Sequence, residues 1–312
     1  MTAPKALVTG ARGFIGGRLA RLLADSGYEV SGIGRGAWPR EEFQAAGLTD
    51  WHDGLVDRAN LEKFGGEPDV VFHCAGSSSV ARSVENPRND FDCNTVMTLD
   101  VLEFIRELNA AKGKICSIVF PSSAGVYGQL ESLPISVNAS LNPISPYGCH
   151  KLMGEMLCRS YARNFGVKAA IVRLFSVYGA GLRKQLLWDA CNKLTAGEAV
   201  FFGTGEETRD WINVDDAARL MLIAGEQASL ESPTCNGGVG QGTAIREIVA
   251  KLAQGLGVKT HISFSGNTKA GDPTHFVADI KEALSWGWAP QTNLDKGLLA
   301  YTDWYKREKG RA

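Results

Sequence analysis

The chain has 312 residues, of which 44% are hydrophobic and 21% are charged. This composition is typical of a globular protein and excludes a largely disordered chain, which would have fewer apolar residues. The 33 basic and 34 acidic residues nearly cancel, and the formal net charge is -1. The overall charge therefore gives no reason to expect nucleic acid or a membrane surface as a partner.

The first residues, MTAPKALVTG, enter a strand-like segment at once, without an apolar run of signal-peptide or membrane-spanning length. The seven cysteines are odd in number, scattered and without a C-x-x-C pair, which argues against a disulfide framework and a zinc site. The histidines also lack metal-ligand spacing. We therefore expect a cytoplasmic protein with no metal ion.

Apolar strands and helical segments alternate through the first half of the chain. The strands are KALVTG, YEVSGIG, a weaker one near DWHDGLVD, PDVVFHCAG, KICSIVFPSS and VKAAIVRLFS. Between them lie FIGGRLARLLADSG, which has helical periodicity, a long helical segment from Arg88 to Ala111, and a helix after Pro146. Apolar strands separated by helices predict an α/β fold, a doubly wound, Rossmann-like parallel sheet covered on both faces.

After about Ser176 the pattern loosens, and short strands mix with helices without any linker. We assign residues 1–175 to a dinucleotide-binding domain, with 205–240 added to it. Residues 176–204 and 241–312 are assigned to a smaller, interleaved C-terminal α/β region that binds substrate.

Gly10, Gly13 and Gly16 form a G-x-x-G-x-x-G motif where the first strand runs into the first helix. Glycines there allow a tight turn and a close backbone approach, and the helix directs its unpaired N–H groups at a phosphate. The motif predicts a dinucleotide site. The absence of G-x-x-x-x-G-K-[ST] argues against a P-loop nucleotidase.

The second strand ends in GIGRG, without the carboxylate that would bind a ribose 2′-hydroxyl. Arg35 stands there instead, and an arginine can pair with a 2′-phosphate. This favours NADP as the cofactor and leaves NAD possible.

The stretch SPYGCHK places Tyr147 four residues before Lys151, just after Pro146. Proline suits the first turn of a helix, and residues four apart share one helical face. Alone, this spacing also fits a surface tyrosine and lysine on an ordinary helix.

Four motifs nevertheless occur in one chain in this order: TGARGFIG, HCAG, VFPSSAGVYG and SPYGCHK. Together they resemble the extended short-chain dehydrogenase/reductase family, which contains nucleotide-sugar epimerases, dehydratases and 4-keto reductases. RDWINVDDAARLM and KAGDPTHFVADIKEALSWGWAP resemble further segments of that family. The resemblance spans nearly the whole chain.

The resemblance implies three groups of site residues. The catalytic group is Ser123, Tyr147, Lys151 and Asn94. The cofactor-binding group is Gly10, Gly13, Phe14, Ile15, Gly16, Arg35, Asp53, Leu55, Ala75, Tyr147 and Lys151. The substrate-binding group is Ser176, Arg209 and Lys269.

In this interpretation Tyr147 exchanges a proton with a sugar hydroxyl or carbonyl while hydride moves to or from the nicotinamide. A free tyrosine has a pKa of about 10. We expect the Lys151 ammonium and the positive nicotinamide ring to favour the phenolate.

Family dehydratases carry an Asp-Glu pair directly after the catalytic hydroxyl, whereas Ala124 and Gly125 follow Ser123 here, which disfavours dehydration. We expect an NAD(P)-dependent oxidoreductase acting on a nucleotide-activated sugar, favouring a 4-keto sugar reductase. A 4-epimerase with retained NAD is an alternative, and a catalytically idle NADP(H) sensor or scaffold is an alternative of another class. The resemblance also implies a homodimer formed through the two long helical segments.

Overall fold

The computed structural model describes residues 2–113, 115–267 and 274–310. The strands are β1 (Lys5–Thr9), β2 (Glu29–Gly34), β3 (Asp50–Asp53), β4 (Val70–His73), β5 (Ser117–Ser123), β6 (Ala169–Leu174), β7 (Ser176–Tyr178), β8 (Val200–Phe201), β9 (Thr208–Asn213), β10 (Thr234–Gly237), β11 (Gly242–Ala244) and β12 (Ser263–Phe264).

The longer helices are α1 (Phe14–Asp25), α6 (Met97–Lys112), α7 (Pro146–Phe165), α8 (Gln185–Thr195), α9 (Val214–Gln227), α10 (Ile245–Leu256) and α12 (Leu294–Glu308). The shorter ones are α2 (Arg40–Ala45), α3 (Arg58–Phe64), α4 (Val80–Glu85), α5 (Pro87–Phe91) and α11 (Lys281–Ser285).

Seven strands form one sheet in the order β10-β6-β5-β4-β1-β2-β3, and every neighbouring pair is parallel. Helices α1, α9 and α11 pack on one face, and α3, α6 and α7 pack on the other. Strands β4 and β6 are buried along their whole length, as expected when helices cover both faces. The predicted Rossmann-like fold is confirmed, and its strand order reverses between β1 and β4.

The later part of the chain forms a three-stranded sheet in the order β11-β9-β7 and a two-stranded pair, β12-β8. Helices α8, α10 and α12 pack around the larger of these sheets and bury an aromatic cluster that includes Tyr178, Trp211 and Tyr301. Strand β10 returns to the main sheet beside β6. The two regions are therefore interleaved along the chain.

The helical segment predicted from Arg88 to Ala111 is helical along its length but is not one regular helix. It consists of α5, a π-helical turn at Asp92–Val96, and α6. Such turns insert an extra residue and are frequent at functional sites. No helix in the described ranges is long and apolar enough to span a membrane.

A buried ion pair joins α7 to β6. Arg173 donates two hydrogen bonds to Glu155, from Nε to Oε1 at 2.9 Å and from Nη2 to Oε2 at 2.8 Å. Ser122, at the end of β5, donates a third to Glu155 Oε1 at 2.6 Å. Arg173 Nη1 also donates to the Tyr127 hydroxyl at 2.9 Å, and that hydroxyl donates to Asn236 Oδ1 on β10 at 2.6 Å. The network ties α7 to three strands of the sheet.

Candidate functional site

The first turn of α7 places Tyr147 beside Ser123. Ser145 caps the helix by accepting a hydrogen bond from the Gly148 N–H at 3.2 Å, and Pro146 occupies the first turn, as predicted. A Cβ on Gly148 would lie 2.4 Å from the Gly125 carbonyl oxygen, so only a glycine lets α7 approach the end of β5 this closely. As a result, Tyr147 and Ser123 come close together at Gly125, where a Cβ would lie 3.4 Å from Ser123 Oγ and 3.7 Å from Cδ1 of the Tyr147 ring.

Lys151 lies one turn further along α7, and only 7% of its surface is exposed. Its Nζ donates to the Pro121 carbonyl oxygen at 3.0 Å and lies 5.0 Å from the centre of the Phe120 ring. Burial lowers the pKa of Lys151 to about 8, because an ammonium loses hydration there. Lys151 therefore changes protonation close to neutral pH.

The expected lowering of the Tyr147 pKa by Lys151 does not occur in the protein by itself. Burial raises the pKa of Tyr147 to about 12, the nearby Ser123 hydroxyl opposes this rise, and the negative charge of Asp90 adds to it. The loss of hydration therefore outweighs the effect of Lys151, and the combined effect expected of Lys151 and the nicotinamide ring stays a prediction.

Asn94 lies in the π-helical turn and is 2% exposed. Neither the Oδ1 nor the Nδ2 atom of its side chain has a hydrogen-bond partner within the described residues. Its backbone oxygen, in contrast, accepts a hydrogen bond from Thr98 Oγ1 at 2.7 Å. A buried amide without partners costs free energy, so a side chain of this kind indicates a site that a ligand or a water molecule completes.

A chain of hydrogen bonds connects this turn to the end of β1. His73 lies between Thr9 Oγ1, 2.8 Å from its Nδ1, and Thr98 Oγ1, 3.2 Å from its Nε2. Since Thr98 donates to the Asn94 oxygen, it accepts from His73 Nε2. Burial and the nearby Lys151 charge lower the pKa of His73 to about 3, so the imidazole is neutral and structural.

The glycine motif forms a tight turn between β1 and α1. Gly10 has a φ of +69°, and a Cβ there would lie 2.8 Å from the Ala75 nitrogen. A Cβ on Gly16 would lie 2.4 Å from the Gly10 oxygen. Gly13 precedes the first residue of α1, and Phe14 and Ile15 form that helix's first turn. The structure thus contains the close-packed strand-to-helix turn that the sequence predicts for a dinucleotide phosphate site.

Two arginines lie where β2 ends. Arg35 directly follows the strand and is exposed. The side chain of Arg12, from the turn after β1, reaches the same place, since a Cβ on Gly36 would lie 2.2 Å from Arg12 Nη1. Asp53 Oδ1 accepts a hydrogen bond from the Gly36 N–H at 2.7 Å, so this carboxylate holds the turn. The sequence analysis missed Arg12, although its position inside the glycine motif was a signal for it. Leu55 follows β3 and is 57% exposed.

Two of the three predicted substrate residues, Ser176 and Arg209, lie on the three-stranded sheet. Ser176 begins β7 and is paired in register with Trp211 of β9. Arg209, on β9, donates to the carbonyl oxygens of Thr208 at 2.9 Å and Thr274 at 3.1 Å, and its guanidinium lies 6.0 Å from the Phe276 ring centre. Lys269 lies outside the described residues.

Asp90 is a further buried group that the sequence analysis missed. It is 1% exposed, and its Oδ2 lies 2.7 Å from His150 Nδ1 on α7. Nothing in the sequence indicated the pair, because the two residues are 60 positions apart. Across the described ranges no three His, Cys, Asp or Glu side chains are grouped closely enough to hold a metal ion.

Asn94 and Asn236 are both buried, but within the described residues only the Asn236 side chain has hydrogen-bond partners. Replacing each of them in turn tests this difference through protein stability. Asn94→Leu removes two buried polar atoms that have no partner, so we expect the free energy of unfolding to stay the same or rise. Asn236→Leu removes an amide that donates to the Ile135 and Asp279 carbonyl oxygens at 2.8 and 3.1 Å and accepts from Tyr127. That variant should lose about 1–3 kcal/mol. Urea unfolding of both variants measures this, and equal losses would contradict the unpartnered state of Asn94.

Comparison with known proteins places this site in a family. The model of the NAD dependent epimerase/dehydratase family matches residues 6–236. A putative UDP-glucose 4-epimerase from Methanocaldococcus jannaschii is 32% identical over 96% of this chain and 98% of its own. The UDP-glucose 4-epimerase of Mycolicibacterium smegmatis is also 32% identical, over 97% of this chain and 99% of its own.

Solved structures agree with this assignment. The UDP-glucose 4-epimerase of Thermotoga maritima with UDP-glucose has a TM-score of 0.87 at 28% identity and covers 98% of this chain and 99% of its own. The UDP-glucuronic acid 4-epimerase of Bacillus cereus has a TM-score of 0.87 at 28% identity and covers 97% of this chain and 99% of its own. That structure is a complex with UDP-glucuronic acid and NAD. The chain is therefore an enzyme of the NAD-dependent epimerase/dehydratase family, as the motifs predicted.

Proposed function

We propose that this enzyme carries out oxidation and reduction at a carbon of a nucleotide-activated sugar, with Tyr147 as the proton carrier. The observation that supports this most directly is the placement of Tyr147 near Ser123, one helical turn before the buried Lys151. The partner-free amide of Asn94 and the close-packed turn from Gly10 to Gly16 fit a dinucleotide cofactor.

When bound, the nicotinamide supplies the hydride carrier and, in its oxidised form, a positive charge that favours the phenolate of Tyr147. Tyr147 takes the proton from a sugar hydroxyl or returns it to a carbonyl. Ser123 hydrogen-bonds the same sugar oxygen. Lys151 holds the cofactor ribose and contributes positive charge, and the glycine turn with the first N–H groups of α1 binds the cofactor phosphates.

The first candidate within this proposal is a 4-epimerase, which the relatives' names support. Such an enzyme oxidises C4 and reduces the ketone from the other face, so the cofactor is regenerated in each turnover. The second candidate is a 4-keto sugar reductase that consumes NADPH. The two arginines at the end of β2 favour it, because guanidinium groups pair well with a 2′-phosphate.

Replacing Tyr147 tests the proposed proton carrier. Tyr147→Phe should lower kcat at least about a hundredfold, because general acid–base catalysis contributes that much or more, while cofactor binding is retained. Tyr161→Phe is the matched control, since this hydroxyl lies further along α7 and contacts Glu103. Near-normal turnover in Tyr147→Phe would refute the assignment. A parent enzyme that turns over no nucleotide sugar would support the catalytically idle alternative.

The cofactor preference separates the two candidates. For the reductase we expect the parent to bind NADP more tightly than NAD, and Arg12→Ala and Arg35→Ala each to weaken NADP binding by about tenfold while leaving NAD binding unchanged. Arg21→Ala, on the exposed side of α1, is the control. Titration calorimetry measures all four proteins. A parent that prefers NAD would contradict the role of the arginines and favour the epimerase.

We also propose that the three-stranded sheet with α8, α10 and α12 forms the substrate region, and that Arg209, Ser176 and Lys269 bind the substrate diphosphate. Arg209 supports this because an arginine offers a diphosphate two parallel charge-assisted hydrogen bonds. Its hydrogen bonds to the Thr208 and Thr274 carbonyl oxygens orient the guanidinium, which lies 6.0 Å from the centre of the Phe276 ring.

Affinity for a nucleoside diphosphate, measured with cofactor saturating, tests this region. Charge-assisted hydrogen bonds contribute about 1.5–3 kcal/mol each, so Arg209→Ala should weaken binding by at least about tenfold. Arg246→Ala removes a cation from α10 that pairs with Glu206, and it should change little. Equal affinity in the parent and Arg209→Ala would mean that the substrate places no diphosphate there.

We propose a homodimer formed through α6 and α7. The exposed apolar side chains of α7 include Met153 at 42% and Met156 at 62%, and Leu99 on α6 is 37% exposed. Leu102, also on α6, lies in the core and is not available to a partner. Light scattering at micromolar concentration should give a dimer mass for the parent and a monomer mass for Met156→Glu. Leu299→Glu, on α12, should remain a dimer, and a monomeric parent would contradict the proposal.

A further inference from the structure

Asp210 is a buried carboxylate next to the arginine that we assign to the substrate diphosphate, and the function proposed above gives it no role. It lies on β9 directly after Arg209 and is 0% exposed. Its Oδ1 accepts a hydrogen bond from the Val239 N–H at 2.6 Å, and its Oδ2 accepts from the N–H groups of Gly240 at 2.9 Å and Ala278 at 3.1 Å. One carboxylate therefore joins β9 to two segments that are distant from it in the chain.

The third of these donors belongs to residues 274–279, which we call the junction segment. This segment lies along the edge of β9. The Thr208 N–H donates to the Thr274 carbonyl oxygen at 3.0 Å, and the Phe276 N–H donates to the Thr208 carbonyl oxygen at 3.1 Å. Strand β7 pairs with β9 only from Trp211 onward, which leaves the edge at Thr208 open to this segment. The junction segment is therefore bound to β9 through its backbone as well as through the carboxylate.

The junction segment also contacts the loop that continues from β5, the strand that ends at Ser123. In this loop, Gln129 Oε1 accepts a hydrogen bond from the Thr274 N–H at 3.1 Å. The Ile135 N–H donates to the Val277 carbonyl oxygen at 2.7 Å. The segment thus bridges the three-stranded sheet and the chain that leaves the proposed catalytic site, and its position sets the spacing between them.

The direction of the Arg209 guanidinium depends on the same segment. Its Nη1 donates to the Thr274 carbonyl oxygen at 3.1 Å, and the centre of the Phe276 ring lies 6.0 Å from the guanidinium. Neighbouring side chains on a strand point to opposite faces. Asp210 can therefore hold the junction segment without occupying the face on which Arg209 lies.

We propose that Asp210 is a positioning residue for substrate binding, which holds the junction segment against β9 so that this segment directs the Arg209 guanidinium toward the substrate diphosphate. This role rests on the proposed function, because it matters only where Arg209 binds a diphosphate. Asp210 touches neither substrate nor cofactor in this scheme and acts through Arg209. A purely structural role would lower stability without a specific effect on the diphosphate.

A double-mutant cycle on diphosphate affinity tests the proposal. The probe is uridine diphosphate, because the relatives' names contain UDP sugars, and titration calorimetry is carried out with cofactor saturating. Asp210→Asn keeps the shape but replaces one acceptor oxygen by an amide donor, so the junction segment should loosen and affinity should fall about tenfold. In the Arg209→Ala background the same change should alter affinity less than about twofold, because the guanidinium that it positions is absent.

Asp216→Asn is the matched control. Asp216 lies on α9, is also 0% exposed, and accepts hydrogen bonds from the N–H groups of Gln291 and Thr292 at 3.0 Å each, in the connection between α11 and α12. This variant loses an equally buried carboxylate from a different junction, so its affinity for uridine diphosphate should equal that of the parent. Affinity for the cofactor alone should be unchanged in Asp210→Asn and in Asp216→Asn.

A second variant keeps the test decisive if Asp210→Asn does not fold. Thr208 Oγ1 lies 3.0 Å from His275 Nδ1 in the junction segment. Thr208→Val keeps the shape of β9 and removes this contact, so affinity for uridine diphosphate should fall about threefold, the loss of one weaker hydrogen bond. This loss should also disappear in the Arg209→Ala background.

Turnover of a nucleotide sugar gives an independent readout. Because Asp210 acts on diphosphate binding, Asp210→Asn should raise KM about tenfold and leave kcat within about twofold of the parent value. A fall in kcat at unchanged KM would contradict the positioning role.

The outcomes separate this role from the function on which it rests. Parent-like affinity in Asp210→Asn, a loss that is equal with and without Arg209, or the same loss in Asp216→Asn would overturn the positioning role and leave Arg209 as a diphosphate ligand. Parent-like affinity in Arg209→Ala, or a parent that does not bind uridine diphosphate, would contradict the proposed diphosphate site and the positioning role with it.

Discussion

The buried ion pair between Glu155 and Arg173 is the constraint on which the geometry of the site depends. Both side chains are almost fully buried, and they join the helix that carries Tyr147 and Lys151 to the strand beside Ser123. Ser122 precedes Ser123 on β5 and donates a hydrogen bond to the same carboxylate. This hydrogen bond fixes the position of α7 along β5 at a point directly next to Ser123. Removing one partner of such a pair typically costs about 3–5 kcal/mol, because the other charge is left unpaired.

The hydrogen-bond network around Arg173 offsets the cost of buried polar atoms without partners at the site. Below the site, polar atoms are well paired through Arg173, Tyr127 and Asn236. At the site, the amide of Asn94 and one oxygen of Asp90 are buried without partners in the described ranges. Proteins tend to break the rule of paired buried groups at functional sites and to compensate for it elsewhere. The unpaired atoms of Asn94 and Asp90 fit a functional role for this region, and unpaired buried side-chain atoms also occur elsewhere, at Tyr178, Trp211, Ser232 and Glu282.

Much of the fold followed from the sequence because its signals are local. The strands of the central sheet are short apolar runs, and Pro146 predicts the start of α7 correctly. Helix α8 and strand β11 were missed, since α8 begins at Gln185 with a positive φ of 65° and β11 is only three residues long. The π-helical turn was also missed, because an extra residue in a helix leaves little trace in a periodic pattern.

Site residues that lie close together in the chain could be predicted from the sequence. Residues that are brought together only by the packing of separate elements could not. Tyr147 and Lys151 are four positions apart, whereas Asp90 meets His150 only when α5 packs on α7. The pKa of Tyr147 depends on burial, which spacing alone does not specify. Arg12 approaches Gly36 only because the turn after β2 folds toward the glycine motif.

The central claim is that hydride passes between a sugar carbon and a nicotinamide in the site beside Tyr147. A single-turnover experiment tests it most directly: enzyme saturated with oxidised cofactor is mixed rapidly with a panel of nucleotide sugars, and the absorbance of the reduced nicotinamide is followed. The account predicts that the reduced form appears with at least one nucleotide sugar and that deuterium at C4 of that sugar slows its appearance. No reduced nicotinamide with any member of the panel, from protein that binds both cofactor and nucleotide sugar, would contradict the account.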